Sequence, residues 1–104
     1  MTFGTFTTDN SFFYIEGGIC TMNGTIKGTT GGTVASQIIM NNIPVGTVSV
    51  QDISTAGQYR DGSYGTSWVL VDASTSKILV YHNDASNWGL GASREISFQI
   101  SYPI

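Results

Sequence analysis

The chain has 104 residues and a mass of 11.1 kDa, which suits a single domain spanning residues 1–104 and leaves no room for a second. Only 11% of residues are charged against 40% hydrophobic, the reverse of the balance that keeps a chain disordered. Four Lys+Arg and a formal charge of −3 provide no basic face to follow a phosphate backbone, so nucleic acid is not expected as a partner. No apolar run reaches the roughly eighteen residues of a membrane span, so no membrane insertion is expected. The start, Met1-Thr2-Phe3-Gly4-Thr5-Phe6, has neither the basic nor the apolar region of a signal peptide. The single Cys20 closes no internal disulfide, and one Cys with one His does not make a zinc site. No cofactor and no metal are expected. Calcium on Asp72 or Asp84 with loop carbonyls is the remaining metal option, and the Asp-x-Asp-x-Asn spacing of a dedicated calcium loop is absent.

Gly, Thr and Ser are abundant, and Ile and Val far outnumber Leu and Ala, a balance that suits strands joined by tight turns. In chain order, Phe12, Phe13, Tyr14 and Ile15 form a first strand. Ile19 to Lys27 alternates, with Cys20, Met22, Gly24 and Ile26 on one face and Thr21, Asn23, Thr25 and Lys27 on the other. Thr33 to Met40 and Val45 to Ile53 are further candidate strands, with Pro44 at a strand entry because it has no amide proton to give a ladder. Thr66 to Ala73 and Lys77 to His82 flank Ser74-Thr75-Ser76 and read as a hairpin. Trp68 to Val71 and Ile78 to Val80 are apolar on both faces, so a second layer or a neighbouring subunit is expected over one of them. In the last run, Arg94 to Tyr102, Ile96, Phe98, Ile100 and Tyr102 alternate with Ser97, Gln99 and Ser101. No segment has the three-and-four spacing of an amphipathic helix. Seven or eight short antiparallel strands predict an all-β fold, an antiparallel β-sandwich of jelly-roll type, with a small immunoglobulin-like sandwich as the alternative topology.

Motifs for catalysis are scarce. His82 is the sole histidine, and no Gly-x-Ser-x-Gly nucleophile turn is present to pair with it. Asp61, Asp72 and Asp84 are carboxylates without the fixed separation that glycoside hydrolysis needs. No phosphate-binding glycine loop is present either. The chain is therefore not expected to be an enzyme; a depolymerase using carboxylates at a subunit interface is the enzymatic alternative.

Two loop regions carry the binding chemistry: Gln58-Tyr59-Arg60-Asp61-Gly62-Ser63-Tyr64 and His82-Asn83-Asp84-Ala85-Ser86-Asn87-Trp88. Each combines aromatic rings with planar hydrogen-bonding side chains. Neutral sugars are held this way, with an aromatic face against the C–H side of the ring and polar groups on the hydroxyls. The candidate ligand-binding residues are Tyr59, Arg60, Asp61, Tyr64, His82, Asp84 and Trp88. For three of them a plain structural role stands alongside. Trp88 can plug one end of the sandwich, His82 can be a satisfied residue at a strand end, and Arg60 can pair locally with Asp61 or with another subunit.

The run Thr66-Ser67-Trp68-Val69-Leu70-Val71-Asp72-Ala73-Ser74-Thr75-Ser76-Lys77-Ile78-Leu79-Val80-Tyr81 resembles the hairpin of phage tail-fibre and receptor-binding-protein head (tip) domains. Ala85-Ser86-Asn87-Trp88, the terminal Ile96-Ser97-Phe98-Gln99-Ile100-Ser101-Tyr102-Pro103-Ile104 and the earlier Asn23-Gly24-Thr25-Ile26-Lys27-Gly28-Thr29-Thr30 are similar to the same group. Many such domains carry Leu-Pro-x-Gly-Tyr-Arg-Pro after the second strand. Ile43-Pro44-Val45-Gly46-Thr47 answers it without the Tyr-Arg-Pro, so no family binding residue is carried over. The resemblance implies a C-terminal head, excised here from a longer protein. It implies a homotrimer joined to other virion proteins through an upstream shaft, located on the virion at a tail fibre or baseplate. It further implies attachment to host cell-surface polysaccharide. The other function considered is a structural virion domain, for capsid decoration or tail assembly, without glycan binding.

Overall fold

The computed structural model describes residues 2–40, 51–75 and 77–104, with side chains from residue 10 onward. Eight strands follow one another: β1 (Thr2–Asp9), β2 (Phe12–Glu16), β3 (Ile19–Gly31), β4 (Gln37–Met40), β5 (Ile53–Asp61), β6 (Ser63–Asp72), β7 (Lys77–His82) and β8 (Gly91–Pro103). All pairings are antiparallel, and hydrogen bonding runs through them in the order β1-β3-β8-β5-β6-β7-β4, with β2 beside the first half of β3. The ends of this sheet, β1 and β4, come into contact, so the sheet curls around its own inner face. The all-β antiparallel expectation holds, and among the described residues there is no helix.

Period-two alternation determines which side chains fill the inside. Cys20, Met22 and Ile26 of β3 meet Ile96, Phe98, Ile100 and Tyr102 of β8; from the other side come Val69 and Val71 of β6, Ile78 and Val80 of β7, and Ile38 and Met40 of β4. Burying each such aliphatic side chain is worth about 1.5–3 kcal/mol. β-Branched residues dominate because they fit a pleated, two-neighbour surface.

Several strand readings change. β4 is shorter than the expected Thr33–Met40, with residues 33–36 outside any strand. Pro44 and residues 45–50 of the expected Val45–Ile53 strand lie outside the described residues; Gln51 and Asp52 are outside any strand, and Ile53 opens β5. β1 precedes the Phe12–Ile15 run that was expected to come first. Most consequential, Gln58 to Tyr64 is not a loop. Its residues form the end of β5, a tight turn at Gly62 (φ 82°) and the start of β6, paired as Gln58↔Thr66, Tyr59↔Gly65, Arg60↔Tyr64 and Asp61↔Ser63. Gly57, Gly62 and Gly65, in and beside this run, serve a closely packed hairpin.

β5 links the two halves of the curl, pairing with β8 only through Gln58↔Ser97, Tyr59↔Ile96 and Arg60↔Glu95. Just before this junction, a Cβ on Gly57 would lie 2.6 Å from the Ser97 carbonyl oxygen and 2.8 Å from the Ser67 hydroxyl. Backbone cannot yield as a flexible side chain does. Gly57→Ala is therefore expected to lower the unfolding free energy by about 1–3 kcal/mol. Gly31→Ala, where a Cβ meets nothing within 4 Å, should stay within about 0.5 kcal/mol in the same denaturant titration.

Candidate functional site

The hairpin tip, the end of β7 and the start of β8 converge at one end of the sheet, and three polar side chains meet there. Asp61 closes β5, His82 closes β7, and Arg94 sits four residues into β8's span. The side chains of Asp61 and His82 are each only 6% exposed, and that of Arg94 is 19% exposed. Asp61 Oδ2 lies 3.1 Å from His82 Nε2, while Asp61 Oδ1 makes an ion pair with Arg94 Nε. These are close approaches rather than aligned hydrogen bonds, since Asp61 Oδ1, His82 Nε2 and Arg94 Nε are all buried without a well-directed partner. Asp61 Oδ2 does accept a hydrogen bond from the Gly89 amide at 2.9 Å.

Aromatic rings pack against this cluster. Tyr59 stacks on His82 with ring centroids 4.2 Å apart and planes 14° from parallel. Trp88 approaches His82 at 4.3 Å and meets Tyr59 edge-on at 5.3 Å. The stack depends on Gly65, because Tyr59 crosses the hairpin above it: a Cβ there would come within 2.5 Å of the Tyr59 ring. The plane of His82 is thus set by Tyr59, and its other nitrogen, Nδ1, lies 2.7 Å from the Ser86 hydroxyl.

The β7–β8 connection wraps over this end. Its Trp88 indole N–H donates to the Val80 carbonyl at 3.2 Å, and its backbone N–H donates to Ala35 O at 3.0 Å. Thr30 at the end of β3 donates to Gly89 O at 2.6 Å and accepts from the Gly91 amide at 3.2 Å. Arg94 donates to the Ala92 and Leu90 carbonyls. Two residues in this connection, Ala85 and Ser93, hold φ near +60°, a conformation that costs a side-chain-bearing residue roughly 1–2 kcal/mol. Each immediately precedes a polar residue of the cluster, Ser86 or Arg94. Backbone strain of this kind gathers where a side chain must be aimed.

Of the seven residues expected at the site, Tyr59, Asp61, His82 and Trp88 come together here. Arg60 and Tyr64 lie on the opposite face of the hairpin, where the Arg60 guanidinium sits 5.3 Å from the Tyr64 ring centroid. Arg60 therefore does not pair with Asp61: neighbouring residues in a strand point to opposite faces. Asp84 is exposed in the connection and accepts the Ser86 amide at 3.0 Å. Hydrogen bonds from the Ser86 side chain and backbone hold its carboxyl below the usual carboxylate range. Trp88 takes the plugging role set beside its candidate binding role. It is 0% exposed, so it offers no face to a sugar and forms the floor beneath His82 instead. An indole bonded to a main-chain carbonyl in the core satisfies its N–H without solvent, which favours that position. Arg94, Ser86 and Thr30 were missed. Arg94 reads only as the first residue of an alternating strand, and no local signal distinguishes it.

Ser86, His82 and Asp61 form a line of hydroxyl, imidazole and carboxylate. Besides His82, the Asp61 carboxylate meets Arg94 and the Gly89 amide. Among the described residues no group of three or more His, Cys, Asp or Glu is placed to hold a metal ion.

No protein-family model matches this chain, and no curated protein matches it. Among solved structures it is similar to the crystal structure of the head domain of phage bIL170, described with the receptor binding domains of lactococcal phages. The TM-score is 0.64 at 19% sequence identity, over 94% of this chain and 86% of that one. The fold is that of a phage head domain. The resemblance read from separated patches between residues 19 and 104 holds at the level of the fold, and the structural likeness extends over nearly the whole chain.

Because Trp88 packs in the core, Trp88→Ala should cost about 3–5 kcal/mol of stability. Chemical denaturation monitored by circular dichroism checks this; a melt unchanged from the parent would place Trp88 outside the structural floor.

Proposed function

We propose that this domain is the receptor-binding head of a phage tail or baseplate fibre and attaches to saccharide on the host cell surface. The observation that carries the reading is the Asp61–His82–Arg94 cluster, set on Tyr59 and Trp88 and rimmed by Ser86 and Asp84. Taking a carboxylate and a guanidinium out of water costs several kcal/mol per ion before pairing repays it. A small domain has cheaper ways to close its end, with apolar side chains alone. Planar donors and acceptors held by strained backbone suit the fixed hydroxyl geometry of a sugar. The fold shared with a phage receptor-binding head supports the same reading. Arg94, Ser86 and Asp84 are the groups a ligand reaches; Asp61, His82 and Tyr59 orient them from below.

A homotrimer on an upstream shaft belongs to this reading. Trp68 is 47% exposed on the outer face and packs beside Tyr81 at 5.3 Å. Phe12, Phe13, Tyr14 and Ile15 on β2 are between 48% and 60% exposed. Apolar area of this extent fits subunit contact. Linking three weak sites multiplies avidity without any new contact. The same apolar surfaces favour the second reading, a structural virion domain whose partners are other virion proteins.

Binding to immobilised cell-wall polysaccharide separates the two, with lactococcal material tried first because the similar head comes from a lactococcal phage. Ser86→Trp places a bulky ring over the cluster from an exposed position and is expected to abolish retention while leaving the melting temperature near that of the parent. A parent domain that ignores every polysaccharide fraction would leave the structural reading standing instead. Light scattering in solution is expected to give three times the 11.1 kDa chain mass; the mass of one chain would remove the trimer and its avidity.

A further inference from the structure

We infer that the outer face of the β5–β6 hairpin is a second saccharide subsite, separate from the Asp61–His82–Arg94 cluster. The inference rests on the reading of this domain as a saccharide-binding head. The hairpin register itself divides the chemistry. Tyr59 and Asp61 point inward, while the facing pairs Arg60↔Tyr64 and Gln58↔Thr66 share the opposite side. A depression of about 360 Å³ opens there, lined by Gln58, Tyr64, Gly65 and Thr66. Its size falls within the range of small-molecule sites, and it suits one pyranose ring at the surface rather than a buried ligand.

Three features fit a sugar ring. Tyr64 is 75% exposed, far more than a ring retained for packing. The Arg60 guanidinium holds it from one side at 5.3 Å, which limits the ring's motion and leaves its other face uncovered. Gln58 and Thr66 line the same depression as Tyr64 and carry the amide and hydroxyl that can donate to and accept from ring hydroxyls. Across the sheet Arg60 stands opposite Glu95, but Glu95 pairs with Lys27 at 3.1 Å, so the guanidinium is not drawn off the tyrosine by that carboxylate. Arg60 is a positioning residue here, and Tyr64 provides the contact. Two subsites on opposite faces of one hairpin would give a single head two separate contacts with saccharide.

The test is a titration of the isotopically labelled domain with a panel of methyl glycosides (glucose, galactose, N-acetylglucosamine and rhamnose), followed by backbone and side-chain amide NMR. At least one glycoside is expected to shift the Gln58 side-chain amide and the Gly65 and Thr66 backbone amides. Tyr64→Ala, at an exposed position that leaves the fold intact, should weaken that response about tenfold or more, the equivalent of losing one aromatic stacking contact. Signals of Ser86 and Arg94 should respond in the variant as in the parent. Shifts at Ser86 and Arg94 with a silent hairpin would overturn the second subsite and leave the first reading in place. Hairpin shifts that persist unchanged in Tyr64→Ala would overturn it as well. Silence at both faces toward every glycoside and toward the polymer would remove the saccharide reading itself.

Discussion

A single carboxylate, Asp61, ties together the end of this molecule where function is proposed. It lies at the tip of β5, next to the turn, where a charged side chain ordinarily points into water. Instead it is 6% exposed and meets His82 from β7, Arg94 from β8 and the Gly89 amide from the connection between them. An isolated ionised carboxylate in such surroundings would be strongly disfavoured. It is tolerated because a guanidinium and a main-chain donor converge on it, and that convergence requires β5, β7 and β8 to end at the same level. The curl of the sheet and the short β5–β8 contact of three residue pairs bring this about.

The connection from β7 to β8 is the second half of the arrangement. It contains no regular structure, yet it is secured at several points: the Trp88 indole on Val80, its amide on Ala35, and Thr30 on both Gly89 and Gly91. Long irregular segments on small domains are usually mobile unless tied to the core by contacts of this kind. Here the strongest tie is a buried tryptophan. Ala85 and Ser93, both at positive φ, lie in this anchored connection or just past it, directly before Ser86 and Arg94. Trp88 thus contributes to this end of the molecule through packing, with no face left for a ligand.

The alternating pattern was the most legible part of the sequence. Ile96, Phe98, Ile100 and Tyr102 stand out as an inward face, and all four are buried. Cys20, Met22 and Ile26 read equally well. The hairpin Thr66–His82 was recognisable because its strands are apolar and its turn is rich in Ser and Thr. The β5–β6 hairpin was not, for a physical reason. Its glycines are there for close approach, at Gly57 to the Ser97 carbonyl and at Gly65 to the Tyr59 ring. A glycine that makes room for a neighbour looks identical, in sequence, to one that makes a turn. Reading the segment as a loop also concealed that Tyr59 and Asp61 face one way and Arg60 and Tyr64 the other.

The residues alone determined that the chain is an antiparallel β-domain, which strand faces turn inward, and that aromatic and polar side chains gather around 58–64 and 82–88. Those properties are local: they follow from a two-residue repeat and from side-chain chemistry. Which of those side chains meet was decided only by the tertiary structure, because it depends on how strands far apart in the chain are ordered and curled. That ordering set Arg94 against Asp61 across thirty-three residues, sank Trp88 beneath His82, and sent Tyr64 to the far side of the sheet.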